Sequence, residues 1–245
     1  MMLPFMIHHE VGHHVLERAD GSATYSSKLY SILAAVNGPV EVSRRDELPE
    51  ETAIEVNIRP TSGVGGPRER WLETVVAGVL RSVLLVHMHP RTLVQVTLQV
   101  TKAPTMKLKG AFLDVAILPS LVNAAFLALV DGGLPLQSTI SAALVAVFGK
   151  GASVDPEEME LELCSSVHAL AFTQHAEMLL NQSTGEFDIG NWEEGAERAE
   201  KACLAAMAAV DGDEEMANGE REARPWLRNE LEEKAKDAVA WKNDT

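Results

Sequence analysis

Polar and apolar residues alternate along Ala53-Ile54-Glu55-Val56-Asn57-Ile58, the pattern of a strand with one buried face. The same period runs from Thr92 to Val100, through Leu93, Val94, Val96, Leu98 and Val100. Ser31 to Val36 reads as a further strand running into the turn signal Asn37-Gly38-Pro39, after which Val40 to Val42 resumes extended chain. Between them the spacing changes. Leu72, Val75, Val76, Val79, Leu80 and Val83 recur at helical intervals, which predicts a helix from Arg68 to Met88 that stops at His89-Pro90.

Leu118 to Val130 is apolar on nearly every side, so a buried helix is expected there, ended by Asp131-Gly132-Gly133. Ile140 to Phe148 reads as a buried strand, and Glu157 to Leu180 as helix, or strand plus helix. An Ala-rich amphipathic helix follows from Asn191 to Val210, while the first 20 residues read as irregular. Strands and helices mixed in this order predict an α+β domain.

Composition changes this picture in three ways. With 245 residues, 46% of them hydrophobic, the chain can bury one core of roughly 200 residues. The expected division is an irregular extension over 1–17, one domain over 18–210, and an acidic tail over 211–245, helical or disordered. The longest apolar runs are too short for a bilayer span, no leader pattern opens the chain, and only Cys164 and Cys203 occur. An intracellular, reducing location away from membranes is therefore expected.

The third change is charge. The formal net charge is −15, and residues 191–245 carry 15 Asp+Glu against 8 Lys+Arg. Such a chain is a poor non-specific binder of nucleic acid, because phosphate contacts supply most of that affinity. Any RNA contact must come from local basic positions or from partner chains. The basic candidates are Arg44 and Arg45 in a charged loop, Arg68 at a helix start, and Lys102, Lys107 and Lys109 in the loop after the Thr92 strand.

Five phrases occur in a fixed order: Arg18-Ala19-Asp20-Gly21-Ser22-Ala23; Val36-Asn37-Gly38-Pro39-Val40-Glu41-Val42; Ile58-Arg59-Pro60-Thr61-Ser62-Gly63; His89-Pro90-Arg91-Thr92; and Leu121-Val122-Asn123 onward to Leu134-Pro135. Together they resemble the ribonuclease PH superfamily, and within it the smallest ring subunits of the eukaryotic RNA exosome, of fungal type. The resemblance spans about residues 18–180. It implies two β-sheets flanked by helices, and a heterodimer with another ribonuclease PH-like chain inside a six-membered ring. It also implies RNA-binding cap subunits, RNA threading through the ring, and residence in nucleus, nucleolus and cytoplasm.

Phosphorolysis in that family needs arginines that grip the attacking phosphate and a carboxylate pair that holds a divalent ion. Arg68 stands where the resemblance puts the first phosphate arginine. The family's Gly-Gly-Thr-Arg turn is replaced by Lys102-Ala103-Pro104-Thr105-Met106, followed by an apparent insertion over 107–117. Asp155 lies in Val154-Asp155-Pro156-Glu157-Glu158-Met159-Glu160, where Pro156 breaks the strand and no second aspartate has the family's spacing. The expectation is a non-catalytic ring subunit with no metal and no cofactor. The alternative is an active phosphorolytic exoribonuclease using Arg68 and Asp155. Arg44 and Arg45 fall in the loop that resembles the family's pore-facing loop. Asn123, alone in an apolar helix, must find hydrogen-bond partners and reads as a structural link.

His9-Glu10-Val11-Gly12-His13 matches His-Glu-x-x-His, which on a helix would set two imidazoles on one face for zinc. Gly12 and the short length oppose such a helix. A zinc peptidase is thus a remote third reading.

Overall fold

The computed structural model describes residues 9–44, 47–105, 110–149, 151–208 and 225–239. The alternating runs form strands as expected, and they assemble into two sheets. The first contains β1 (Glu10–His13), β2 (Gly21–Ser26), β3 (Ser31–Glu41), β4 (Ala53–Arg59) and β5 (Thr92–Lys102), in the order β1-β2-β3-β5-β4. Its one parallel pair, β4 with β5, is joined by the crossover helix α1 (Pro67–Val83). The second sheet is antiparallel and contains β6 (Ile140–Phe148), β7 (Gly151–Val154), β8 (Ser166–Thr173) and β9 (Met178–Gly185), in the order β7-β6-β8-β9.

Between the sheets lies α3 (Leu118–Asp131), against β2 and β3 on one side and β6 on the other. This placement is why its sequence is apolar all round. With the short helix α2 (Gly110–Ala116) it makes a run of 22 residues apolar enough to cross a membrane by composition, yet 83% of its most apolar window is buried inside the fold. Helix α5 (Ile189–Met207) covers the other face of the second sheet, burying Ala199, Cys203 and Ala206. A six-residue helix α4 (Glu158–Leu163) follows β7, and α6 (Trp226–Val239) docks beside α5 and β1.

Several local expectations change. Residues 10–13 are not irregular but form edge strand β1, because pairing with β2 satisfies their backbone. Asn37-Gly38-Pro39 does not reverse the chain. It makes a bulge inside β3, with a cis Gly38–Pro39 bond, and the strand continues on the same partner. Gly38 has φ 142°, and a Cβ there would stand 2.6 Å from the Leu93 carbonyl oxygen. Helix α1 ends at Val83 rather than Met88, since Leu84 turns extended and bridges to Leu136. The segment expected to be helix, or strand plus helix, is one helical turn and a half followed by two strands. Part of the tail also belongs to the core, for Leu227 on α6 is 1% exposed.

Candidate functional site

At the end of the first sheet where β4 and β5 finish, the chain leaves Arg59 for a Gly/Pro loop and enters α1. The amide of Gly66 donates to the Glu69 carboxylate at 2.7 Å, closing the first turn, and Pro67 suits the first helical position because its missing N–H is not needed there. Arg68 therefore stands at the mouth of a cleft. The walls are Tyr30, Ile58, Leu72, Val100, Leu113 and Ile117, around a cavity of about 100 Å³.

Arg68 is already occupied. Its Nε donates to the Asp114 carboxylate, its Nη2 to the Leu113 carbonyl at 3.3 Å, and its Nη1 lies 3.8 Å from Glu69. Asp114 and Leu113 belong to α2, so part of the inserted segment over 107–117 carries the carboxylate that meets the arginine. The Tyr30 hydroxyl donates to the Leu113 carbonyl at 3.3 Å, and burial pushes its phenol well above the usual range.

The carboxylate run after β7 is used by the backbone. The Glu157 amide donates to the Glu160 carboxylate at 2.7 Å, an N-terminal capping arrangement for α4. Glu158 accepts from Thr105 Oγ1 at 3.3 Å. Asp155 adopts φ 50°, its amide donates to the Leu144 carbonyl, and its own carbonyl accepts from Lys28 Nζ at 3.0 Å. Its side chain faces His9, whose Nε2 lies 3.4 Å from Oδ2.

Lys102 ends β5, exposed, on the same end of the sheet as Arg68. Arg44 is also exposed but lies past the opposite end of β3: Ser31 pairs with Lys102, and Glu41 with Thr92. Ten strand steps of about 3.3 Å put these ends roughly 30 Å apart. The fold thus puts Arg68 in the cleft and Lys102 at the same end of the sheet, beside the cleft-lining Ala103, and leaves Arg44 elsewhere. Arg45, Lys107 and Lys109 lie outside the described residues.

The His-Glu-x-x-His phrase falls on β1 and not on a helix. Four strand steps separate His9 and His13 by about 13 Å, too far for two imidazoles to share one zinc ion. His9 instead meets Asp155, and His13 Nε2 lies 3.3 Å from Glu230 on α6. Asp114, Tyr30 and the contacts of His9 were not singled out from sequence. Only Asp114's place in an insertion beside Arg68 could have hinted at the first.

Against this geometry stand the similarities to known proteins. A model of domain 1 of the 3′ exoribonuclease family, RNase PH, matches residues 6–135. The exosome complex component RRP46 of Saccharomyces cerevisiae is 32% identical over 209 residues, covering 82% of this chain and 92% of the relative. An exosome complex exonuclease RRP46 homolog of Oryza sativa is 37% identical over 122 residues, covering 50% and 47%. Among solved structures, rice Rrp46 superposes with a TM-score of 0.68 at 29% identity, covering 80% of this chain and 90% of that one. The Archaeoglobus fulgidus exosome with RNA bound to the active site shares the fold, with a TM-score of 0.64 at 17% identity over 79% and 84% of the two chains.

Proposed function

We infer that this chain, which belongs to the 3′ exoribonuclease (RNase PH) family, is a ring subunit of an RNA exosome that helps shape an RNA-threading channel and performs no phosphorolysis itself. Its partners are other ribonuclease PH-like chains, one of them in a heterodimer within a six-membered ring, together with RNA-binding cap subunits and RNA. A separate nuclease cuts the RNA, and the complex serves rRNA maturation and RNA turnover in nucleus, nucleolus and cytoplasm. The relatives named exosome components support the assembly.

The observation that carries the loss of chemistry is the Arg68–Asp114 pair. An attacking phosphate would have to replace Asp114, or settle beside it. Two like charges about 4 Å apart repel by about 1–4 kcal/mol between bulk water and a protein surface. The loop 102–105 offers Lys102 but no second guanidinium to offset this. Asp155, the residue that a metal-dependent mechanism would use, is committed to His9. Lys102 and Arg44 remain as exposed cations able to touch an RNA backbone, a contact that needs charge and position but reads no sequence.

Gentle purification of the tagged chain with mass spectrometry of co-eluting proteins tests the assembly; recovery alone or as a homo-oligomer would remove it. The phosphorolytic alternative, with Arg68 holding phosphate and Asp155 a metal ion, predicts shortening of RNA by the purified chain in phosphate and magnesium. Intact RNA is the result expected here.

A further inference from the structure

Besides the apolar packing of Leu227 and Leu231, three side chains tie helix α6 to the body of the molecule. Trp226 at its start packs, tilted by 41° and 43°, against His9 and Tyr25, with ring centroids 4.6 and 5.5 Å away. Glu230 faces His13 at 3.3 Å one turn later. Lys234, another turn on, donates to the Asp131 carboxylate at the end of α3. The stretch 209–224 that links α6 to α5 lies outside the described residues, so these side chains, with Leu227 and Leu231 packed on the core, are what the structure shows holding the helix.

The first contact leads into a directional chain. Asn123 spends one amide hydrogen on the Ala142 carbonyl and the other on the Tyr25 hydroxyl, at 2.9 and 3.1 Å. The Tyr25 oxygen thus accepts, and its own proton goes to His9 Nδ1 at 2.8 Å. A neutral His9 must then carry its hydrogen on Nε2, the atom that faces Asp155 Oδ2 at 3.4 Å. His9 is held by Tyr25, whose ring stacks on it at 5.4 Å, and by Trp226. It precedes edge strand β1, its side chain is 7% exposed, and Trp226 closes its outer side. The Asp155 segment in turn sits beside the cleft: its carbonyl takes Lys28, and three residues on Glu158 takes Thr105. A non-glycine residue at φ 50° persists only where its surroundings hold it.

We propose that α6 is a strap that sets the conformation of the Asp155 segment through His9: Trp226 holds the imidazole in its socket, and the imidazole holds the carboxylate. Docking or release of α6 is thereby communicated to the start of α4 and, through Glu158 and Thr105, to the Ala103-Pro104 wall of the cleft that holds Arg68. Any partner that captures α6 loosens that side of the cleft without touching it. The device stands on this chain's own contacts and is independent of whether the chain is a ring subunit.

Amide hydrogen exchange on the full chain tests it. His9→Phe keeps an aromatic ring in the socket and removes both ring-nitrogen contacts, to Asp155 and to Tyr25. It is expected to speed exchange at Asp155, Glu160 and Leu161 about tenfold while Val96 and Leu98 in β5 keep their rates. Tyr25→Phe, which removes the second of these contacts and not the first, should leave exchange at Asp155 unchanged. Trp226→Ala should do as His9→Phe does and also release α6. Lys234→Ala, which cuts the far anchor, should loosen only the C-terminal half of α6. Unchanged exchange at Asp155 in both His9→Phe and Trp226→Ala overturns the proposal. So does an equal acceleration in Lys234→Ala, or in β5, because the effect would then be general loosening and not transmission through His9.

Discussion

The side-chain amide of Asn123 and the backbone of Ala142 bond to one another in both directions, each bond 2.9 Å long. The pair imitates one rung of a β-ladder between the central helix α3 and the strand β6, and Asn123 is 1% exposed. Its remaining hydrogen serves Tyr25 from the first sheet, so a single amide ties both sheets to the helix between them.

Replacing Asn123 with Leu therefore leaves the Ala142 amide and carbonyl and the Tyr25 oxygen with lost partners in a dry core. Unsatisfied buried groups cost about 1–3 kcal/mol each, partly relieved by the added apolar volume. Urea unfolding should show a loss of about 2–4 kcal/mol with an unchanged m-value.

Gly21 approaches α3 at its C-terminus. A Cβ on it would lie 2.3 Å from the Gly132 nitrogen and 2.4 Å from the Ala128 carbonyl oxygen, both backbone atoms that cannot step aside. Next door, the Ser22 amide donates to Asp131 at 2.9 Å. Gly21→Ala should displace β2 from α3 and lose about 3 kcal/mol or more, read as a thermal midpoint lowered by several degrees or as failure to fold.

His168 is buried neutral between Ser166 and Ser183, at 2.9 and 2.8 Å, with the Phe187 ring edge-on at 4.7 Å. Burial lowers its pKa to about 4, below the unfolded value of about 6.5. The unfolded chain therefore binds a proton first as pH falls. The stability tied to the neutral ring is complete above about pH 6.5 and is lost between there and pH 4. By pH 5 the loss should reach about 1–2 kcal/mol. The stability difference between pH 7 and pH 5, compared with that of His168→Gln, measures it; equal slopes would contradict the assignment.

Asp114 competes with any anion for Arg68. Because the pair is partly exposed, with side chains 34% and 41% accessible, Asp114→Ala should change stability by less than about 1 kcal/mol. It should nevertheless tighten binding of inorganic phosphate several-fold in a calorimetric titration, and Arg68→Ala added to it should abolish that gain.

Lys102→Glu and Arg44→Glu should leave thermal stability nearly unchanged, because both side chains are exposed. On the proposed reading, in which each side chain meets one phosphate of the RNA, each substitution should weaken RNA binding several-fold in a reconstituted complex and flatten its salt dependence. The two effects should add, as expected for sites about 30 Å apart.

Sequence periodicity located most strands and three of the helices, because a half-buried strand must alternate and a helix between two sheets must be apolar all round. The family was legible for a related reason: tight places such as the entry to β2 at Asp20-Gly21 and the end of α3 at Asp131-Gly132-Gly133 demand particular residues wherever that geometry recurs. The resemblance singled out Arg68 as the first phosphate arginine, a residue the fold sets at the mouth of the cleft, and the one amide in the apolar α3 announced Asn123 as a link. What escaped was decided between distant segments. A His-Glu-x-x-His phrase carries no mark of being a strand, since the pairing that makes it one is supplied by β2. Nor does Glu157-Glu158-Met159-Glu160 reveal that its carboxylates cap a helix. Asp114 found Arg68, and Trp226 found His9, only after the chain had closed. Local pattern encodes which faces must be buried, whereas the partner of each charged or aromatic group depends on which surfaces the finished fold brings together.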